Sequence, residues 1–206
     1  MRFRLIAVLV LTTCAVGVWP LHAQDSSVSG SGFRGAAWGI SQAEVLALEA
    51  TAPFRVDESV AMFTGSYGGH PAHVIYFFVR DELVMGFYQL LIENEELDEY
   101  FENYYVLRDA ISDQIGIPSA ENWQFIDEQV EGQREMWGDA LGFGLLKVET
   151  GWIYDRSAIG LRLSGGDFAA HLMVIHTSQD ELNRGRRAYR RYFANVIGVP
   201  NPYFSR

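Results

Sequence analysis

Hydrophobic and polar positions along the chain follow two different periods, and the change between them marks the expected elements. Two groups of three short runs are rich in β-branched and aromatic residues and are separated by Gly-rich or polar turns: 60–64, 73–79 and 83–92, then 148–154, 158–163 and 170–176. Each group predicts a three-stranded antiparallel meander. The run Val74–Val79 is apolar on both faces, which is typical of a central strand that is covered on both sides.

Three further segments have apolar residues at helical spacing and predict helices at about 42–50, 95–115 and 179–197. Ser41 precedes the first of these helices, and with Glu44 it has the spacing of a capping box. The second helix is expected to end at Gly116. Residues 119–146 combine aromatic residues at helical spacing with several glycines, so the pattern assigns no element there.

Blocks of strands joined by tight turns, with helices between the blocks, predict an α+β fold with one or more antiparallel sheets rather than a doubly wound parallel sheet. We expect a single α+β domain over residues 33–206, since a chain of this size buries about 70% of its unfolded surface. Segments 68–74 and 165–172 each contain a Gly-Gly pair and a later histidine, and they align with one insertion. The halves are therefore either a degenerate tandem repeat or two hairpins that match by chance.

The N-terminus has the three parts of a secretory signal peptide. Arg2 and Arg4 give a positive start, residues 5–18 form an apolar run, and Ala23 is the small residue expected before a cleavage site. The apolar run is shorter than the ~20 residues that a spanning helix needs. We therefore expect residues 1–23 to be removed and the mature chain to act in the periplasm or cell envelope, without a transmembrane segment.

Residues 24–32 then follow as a flexible Ser/Gly-rich leader. Cys14 is the only cysteine, and lipid attachment at Cys14 is the alternative to cleavage after Ala23. Cleavage after Ala23 leaves a mature chain with no thiol, disulfide or Cys-bound metal. Loss of the two N-terminal arginines also changes the formal charge from −10 to −12. This charge argues against a nucleic-acid partner, because the phosphate backbone would be repelled.

Candidate chemistry in the sequence is sparse. His70 and His73 form an HxxH pair in an expected turn and are weak candidates for metal ligands, but no cysteine or acidic cluster completes the site. The segment 65–68 does not have the spacing of a nucleophile elbow. No phosphate-binding loop or dinucleotide fingerprint occurs, so the sequence predicts neither a cofactor nor a catalytic residue.

A basic cluster marks the expected C-terminal helix. Arg184, Arg187 and Arg191 share one helical face. One interpretation is that these arginines face water or balance the acidic segment 81–140 of the same chain, which carries 16 acidic residues against Arg108 and Arg134. The other is contact with an anionic partner, such as lipid headgroups or an acidic protein surface.

The segment Phe33–Val45 reads F-R-G-x-x-W-G-x-S-x-x-E-V. It resembles the opening of a group of uncharacterised bacterial exported proteins, and this resemblance implies a cell-envelope α+β domain without assigning any catalytic residue. The order of helices and strands is also distantly similar to modules of beta-lactamase inhibitory proteins and outer-membrane assembly lipoproteins. That similarity concerns the fold alone.

Taken together, these patterns favour an exported envelope protein that acts as a non-enzymatic binding or assembly module. Its recognition surface would be one face of a sheet or the charged helices, and its partner would be an envelope protein or an anionic surface. The alternative is a small-ligand-binding protein with an apolar pocket between sheet and helix. An enzyme is the third hypothesis.

Overall fold

The computed structural model describes residues 28–92, 96–180 and 182. Over these residues the chain folds into an eight-stranded antiparallel sheet, a two-stranded ribbon and helices of 4 to 17 residues. The strands are β1 Gly32–Phe33, β2 Ala36–Ala37, β3 Arg55–Asp57, β4 Val60–Tyr67, β5 His70–Val79, β6 Glu82–Leu90, β7 Ala120–Phe125, β8 Leu146–Tyr154, β9 Ser157–Gly166 and β10 Ala169–Ser178. The helices are α1 Gln42–Leu48, α2 Glu99–Ile115, α3 Glu128–Glu131 and α4 Trp137–Gly142, with a 3₁₀ turn at Arg134–Met136.

The large sheet has the strand order β3-β4-β5-β6-β10-β9-β8-β7, and its strands pair antiparallel throughout. Each half is a meander, and the two halves meet where β6 pairs with β10. The prediction of an α+β fold built from two meanders is therefore confirmed. Strand β5 lies between two partners and is buried on both faces, as its apolar run predicted.

Each meander carries one outer strand that the sequence patterns did not predict. Strand β3 has only three residues, too few for alternation to be visible. Strand β7 lies inside the unassigned segment 119–146, and its six residues are mostly exposed and polar. Only Trp123 and Phe125 of β7 point toward the core, so the sequence pattern of this half-buried edge strand resembles that of a loop.

The two halves repeat the same order of elements. Helix α1 precedes the four strands β3–β6, and α2 precedes β7–β10, with α3 and α4 inserted between β7 and β8. The two aligned Gly-Gly segments nevertheless occupy different hairpins, since one joins β4 to β5 and the other joins β9 to β10. The repeat is visible in topology, whereas the aligned segments are not topologically equivalent.

Both described helices of the sequence prediction are present, and α1 begins as expected but ends at Leu48 rather than at about residue 50. Ser41 accepts a hydrogen bond from the backbone of Glu44, and the Glu44 carboxylate accepts one from the backbone of Ser41, which completes the capping box. Helix α2 begins at Glu99 rather than at about 95 and ends at Gly116, whose φ of 99° favours glycine. The buried residues of α2 lie against one face of the sheet, which we call the helix face.

Most of the predicted helix at 179–197, with Arg184, Arg187 and Arg191, lies outside the described residues. The predicted signal peptide with Cys14 also lies outside them. Part of the predicted leader is described, and Gly30 accepts hydrogen bonds from Arg156 and Ser157, so ordered contacts begin before Phe33. Within the described ranges, no helix has the length and apolar character needed to cross a membrane.

The segment Phe33–Val45, which we call the N-terminal motif, packs against the helix face. The Phe33 ring packs edge-on against Tyr76 and Tyr88, at centroid distances of 5.0 and 5.1 Å. The Trp38 indole donates a 3.0 Å hydrogen bond to the Ser157 hydroxyl of β9. The motif therefore contacts both halves of the sheet, and its residues have structural roles.

The opposite face, which we call the outer face, changes character across the sheet. Over β4–β6 and β10 it is apolar and buried: Val60, Met62, Ile75, Phe77, Val84, Met85, Phe87 and Met173. Over β7–β9 the side chains that share this face are small, polar or charged apart from the exposed Ile153, and most are partly exposed. The surface thus changes from apolar to polar at the β9–β10 boundary.

Candidate binding site

Three positions with little or no side chain lie side by side on the outer face. Ala120 of β7 pairs with Gly151 of β8, and Gly151 pairs with Gly160 of β9. Directly paired residues of an antiparallel sheet project to the same face. The three positions therefore form a strip of bare backbone, which we call the trough.

Packing explains several glycines of this protein but not the two in the trough. A Cβ added to Gly86 would lie 2.0 Å from the Phe33 ring, and one added to Gly165 would lie 2.0 Å from the Leu141 carbonyl oxygen. At Gly151 and Gly160 the nearest described atoms lie 3.9 and 4.0 Å away, which is ordinary van der Waals contact. Glycine weakens a strand interior and often marks a place where a ligand or another backbone approaches closely.

A cavity of about 350 Å³ lies over the trough. This volume falls within the range of about 300–1,000 Å³ that small-molecule sites occupy. Met85, Ile153, Ile175 and Leu182 give it apolar walls. Ile153 is 57% exposed, so this wall is open to solvent. The floor and walls together offer apolar contact to a small molecule that lies in the trough.

The row of residues next to the trough is polar and charged. Asn122, Glu149 and Arg162 pair across β7, β8 and β9, and all three line the cavity. Arg162 forms an ion pair with Glu149, and the Lys147 ammonium lies 2.9 Å from the other Glu149 carboxylate oxygen. This cluster of Lys147, Glu149 and Arg162, which we call the ionic rim, holds two cations against one anion.

Burial and mutual charge perturb the ionic rim. Burial alone would raise the pKa of the Glu149 carboxyl, but Arg162 and Lys147 outweigh it and hold that pKa below its ordinary value. Burial and the adjacent Arg162 lower the pKa of the Lys147 ammonium, against the opposing effect of Glu149. The side chains of Lys147 and Arg162 are only 18% and 17% exposed, so their charges act in a partly desolvated setting.

The predicted metal candidates do not meet. His70 and His73 lie in β5 rather than in a turn, and their odd spacing places them on opposite faces. The His73 ring packs against Phe54 at a centroid distance of 5.0 Å. Within the described ranges, no group of three or more His, Cys, Asp or Glu side chains is arranged to hold a metal ion.

Two other polar features lie away from the trough, one an ion-pair cluster and the other a single buried histidine. Beneath the N-terminal motif, Arg34 donates a 2.9 Å hydrogen bond to Glu49, and the Tyr76 hydroxyl donates to the same carboxylate. Burial, and then Glu49, raises the pKa of the Tyr76 phenol.

His176 lies on the helix face, and both its ring nitrogens lack a hydrogen-bond partner in the described structure. Burial lowers the pKa of His176 to about 4.

Sequence reasoning missed the trough, although one signal for it was present. Gly151 interrupts the predicted strand 148–154, and Gly160 interrupts 158–163. An isolated glycine inside a strand pattern indicates a bulge or a close approach of another group. That the two glycines lie opposite each other depends on the register between β8 and β9, which the sequence does not show.

Comparison with known proteins gives no relative for this chain: no family model matches it, and neither the curated proteins nor the solved structures contain a significant match.

Proposed function

We propose that this chain is an exported, non-enzymatic binding protein whose ligand lies in the trough on the outer face. The proposal combines the expected signal peptide with the cavity over β7–β10. It favours a small-ligand site over a broad protein-docking face, because a recess of about 350 Å³ suits one small molecule.

One observation carries this proposal. Gly151 and Gly160 face each other in strand interiors where the described structure leaves room for a side chain. Glycine in a strand destabilises the fold by roughly 0.5–1 kcal/mol relative to alanine. Because packing does not require these glycines, we assign them to keeping the trough open for a ligand.

The pocket also differs in position from the one that the sequence led us to expect. It lies on the sheet face opposite α1 and α2, and Leu182 lines one side of it. Leu182 is the first apolar residue of the predicted helix at 179–197. The outer face of the sheet, rather than the space beneath the described helices, is therefore the recognition surface that we propose.

A ten-carbon probe series tests the proposal. Decanol, decanoate and decyltrimethylammonium, each below its micelle concentration, are titrated into the mature protein by isothermal titration calorimetry. We expect at least one probe to bind with one-to-one stoichiometry. In Gly160→Leu the new side chain fills the trough, and we expect affinity for that probe to fall by at least about tenfold with the melting temperature retained.

Gly132→Leu is the matched control, since Gly132 is exposed at the end of α3 and a Cβ there meets no described atom within 4 Å. This variant should bind the probe like the wild type. Absence of binding by all three probes would contradict the proposal. A large loss of stability in Gly160→Leu would contradict it as well, because the trough would then already hold part of this chain.

A further inference from the structure

We infer that the C-terminal segment, residues 183–206, packs as an amphipathic helix on the apolar part of the outer face and covers it. This part lies over β4–β6 and β10, and we call it the apolar patch. The inference stands apart from the proposed function, which concerns the trough over β7–β9. It assigns the patch to a segment of the same chain rather than to a second copy or another protein.

The apolar patch is more deeply buried than the described elements explain. Its eight side chains are at most 6% exposed: Val60, Met62, Ile75, Phe77, Val84, Met85, Phe87 and Met173. All eight lie on strands, and each of the four described α-helices packs its buried residues into the core of the helix face instead. A sheet face that is open to water keeps its side chains partly exposed, as the outer face of β7–β9 does. The cover of the patch therefore comes from chain outside the described ranges.

The two ends of the described chain lie on opposite faces of the sheet. At the N-terminal end, the backbone of Val28 donates a 3.2 Å hydrogen bond to a side chain of α2, and Val28 packs against the core of the helix face. At the other end, Leu182 lines the cavity on the outer face together with Met85, which also belongs to the apolar patch. The chain thus turns from β10 onto the outer face, and residues 183–206 begin at the border of the patch.

The sequence of this segment suits the patch. At helical spacing its apolar residues share one side: Leu182, Tyr189, Phe193 and Val196. Arg184, Arg187 and Arg191 lie on the opposite side of the same helix. If the apolar side packs on the sheet, the arginines stay in water and no charge has to be desolvated.

The segment is also long enough. Adjacent strands lie about 4.8 Å apart, so the four strands of the patch span roughly 14 Å from β10 to β4. A helix from Leu182 to Val196 would be about 21 Å long. The apolar side of the helix can therefore reach across all four strands.

The methionines of the mature chain provide a test. Met62 and Met173 belong to the apolar patch, whereas Met136 lies in the 3₁₀ turn and is 40% exposed. The protein is labelled with ¹³C at its methionine methyl groups, and a soluble gadolinium chelate is added. We expect the chelate to broaden the NMR resonance of Met136 and to leave those of Met62 and Met173 narrow. Equal broadening of all three would mean that the patch is open to water and would overturn the inference.

A charge in the apolar stripe should uncover the patch. In Phe193→Asp we expect the gadolinium chelate to broaden the resonances of Met62 and Met173, because the segment no longer packs on the sheet. Phe168→Asp is the matched control, since Phe168 is 70% exposed in the turn between β9 and β10, and it should retain the wild-type pattern. If Met62 and Met173 stay narrow in Phe193→Asp, another part of the chain covers the patch and the inference is wrong.

A second measurement does not depend on the stability of Phe193→Asp. Asn195 lies on the basic side of the expected helix, and Asn195→Cys gives the mature chain one thiol for a nitroxide label. We expect the label to broaden the resonance of Met62, Met173 or both, but not that of Met136, which lies beside α4 on the other side of the sheet. Absence of this broadening would contradict the inference. Labelled protein without ¹³C is also mixed with ¹³C-enriched protein without the label, and broadening in the mixture would assign the cover to a second copy and overturn the inference.

Discussion

The Phe33 ring lies directly over Gly86, at a distance that leaves no room for a side chain between them. A Cβ built on Gly86 would come within 2.0 Å of Phe33 Cδ1. Gly86 is in β6 and pairs with His176 in β10, so the ring lies over the line where the two halves of the sheet join. The N-terminal motif thus covers this junction.

We expect Gly86→Ala to destabilise the protein by about 3 kcal/mol, because the methyl group displaces Phe33 from a closely packed site. Urea denaturation measures the change in the free energy of unfolding. Gly132→Ala is the control, since that position is open, and its effect should stay within about 0.5 kcal/mol. Equal effects of the two substitutions would show that Phe33 does not occupy this position in solution.

The Arg34–Glu49 pair gives a second prediction. The two side chains are 19% and 8% exposed, so removing one charge leaves the other poorly solvated. We expect Glu49→Gln to lower the free energy of unfolding by about 2 kcal/mol, less than for a fully buried pair since Arg34 keeps some contact with water. The exposed Arg156–Asp180 pair is the comparison, and Arg156→Gln should change stability by less than about 0.5 kcal/mol.

His176 predicts sensitivity to acid. Its pKa is lowered from 6.5 to about 4 by burial, so the unfolded chain takes up a proton more readily than the folded chain. The stability contributed by this histidine is complete above pH 6.5, falls as the pH drops, and is lost below about pH 4. The full loss amounts to roughly 3 kcal/mol.

Comparison of wild type with His176→Leu isolates this contribution from that of the carboxyl groups. Between pH 7.5 and pH 4 the variant should lose less free energy of unfolding than the wild type, by roughly 2–3 kcal/mol. Urea midpoints at each pH provide the measurement. Parallel pH profiles for the two proteins would mean that His176 is solvated.

A buried hydrogen bond between helix and sheet gives a fourth prediction. The hydroxyls of Tyr104 in α2 and Thr150 in β8 lie 2.6 Å apart. Tyr104→Phe leaves the Thr150 hydroxyl buried without a partner and should destabilise by about 1–2 kcal/mol. In the Tyr104→Phe background, Thr150→Val should lower the free energy of unfolding by less than it does in the wild type, because no polar group then remains unpaired. If urea denaturation shows that the effects of the two substitutions on the free energy of unfolding simply add, the two hydroxyls are not hydrogen-bonded.

Sequence patterns predicted the inner strands and the two described helices because each has a strong local signal. Ser41 and Glu44 identify the start of α1, and Gly116 identifies the end of α2. Strand β7 was missed because its pairing with β8, rather than its composition, makes it a strand. Local patterns do not show such long-range pairing.

The candidate site could be predicted only in part for the same reason. Lys147, Glu149 and Arg162 give no motif in the sequence, and they meet because β8 and β9 pair in one register. A shift of that register by one residue would move every side chain of one strand to the other face. The HxxH spacing made His70 and His73 weak candidates for metal ligands, and β-strand geometry separates the two rings.

The pairing of β6 with β10 determines when the sheet can be completed. During synthesis β6 emerges long before β10. Until β10 follows, the N–H and C=O groups along one side of β6 lack the strand that pairs with them in the finished sheet. Contacts between segments so distant in sequence also form slowly. A chain that stops before Ala169 therefore presents a long unpaired strand edge with apolar side chains to other chains, and we expect such fragments to associate with each other through β6.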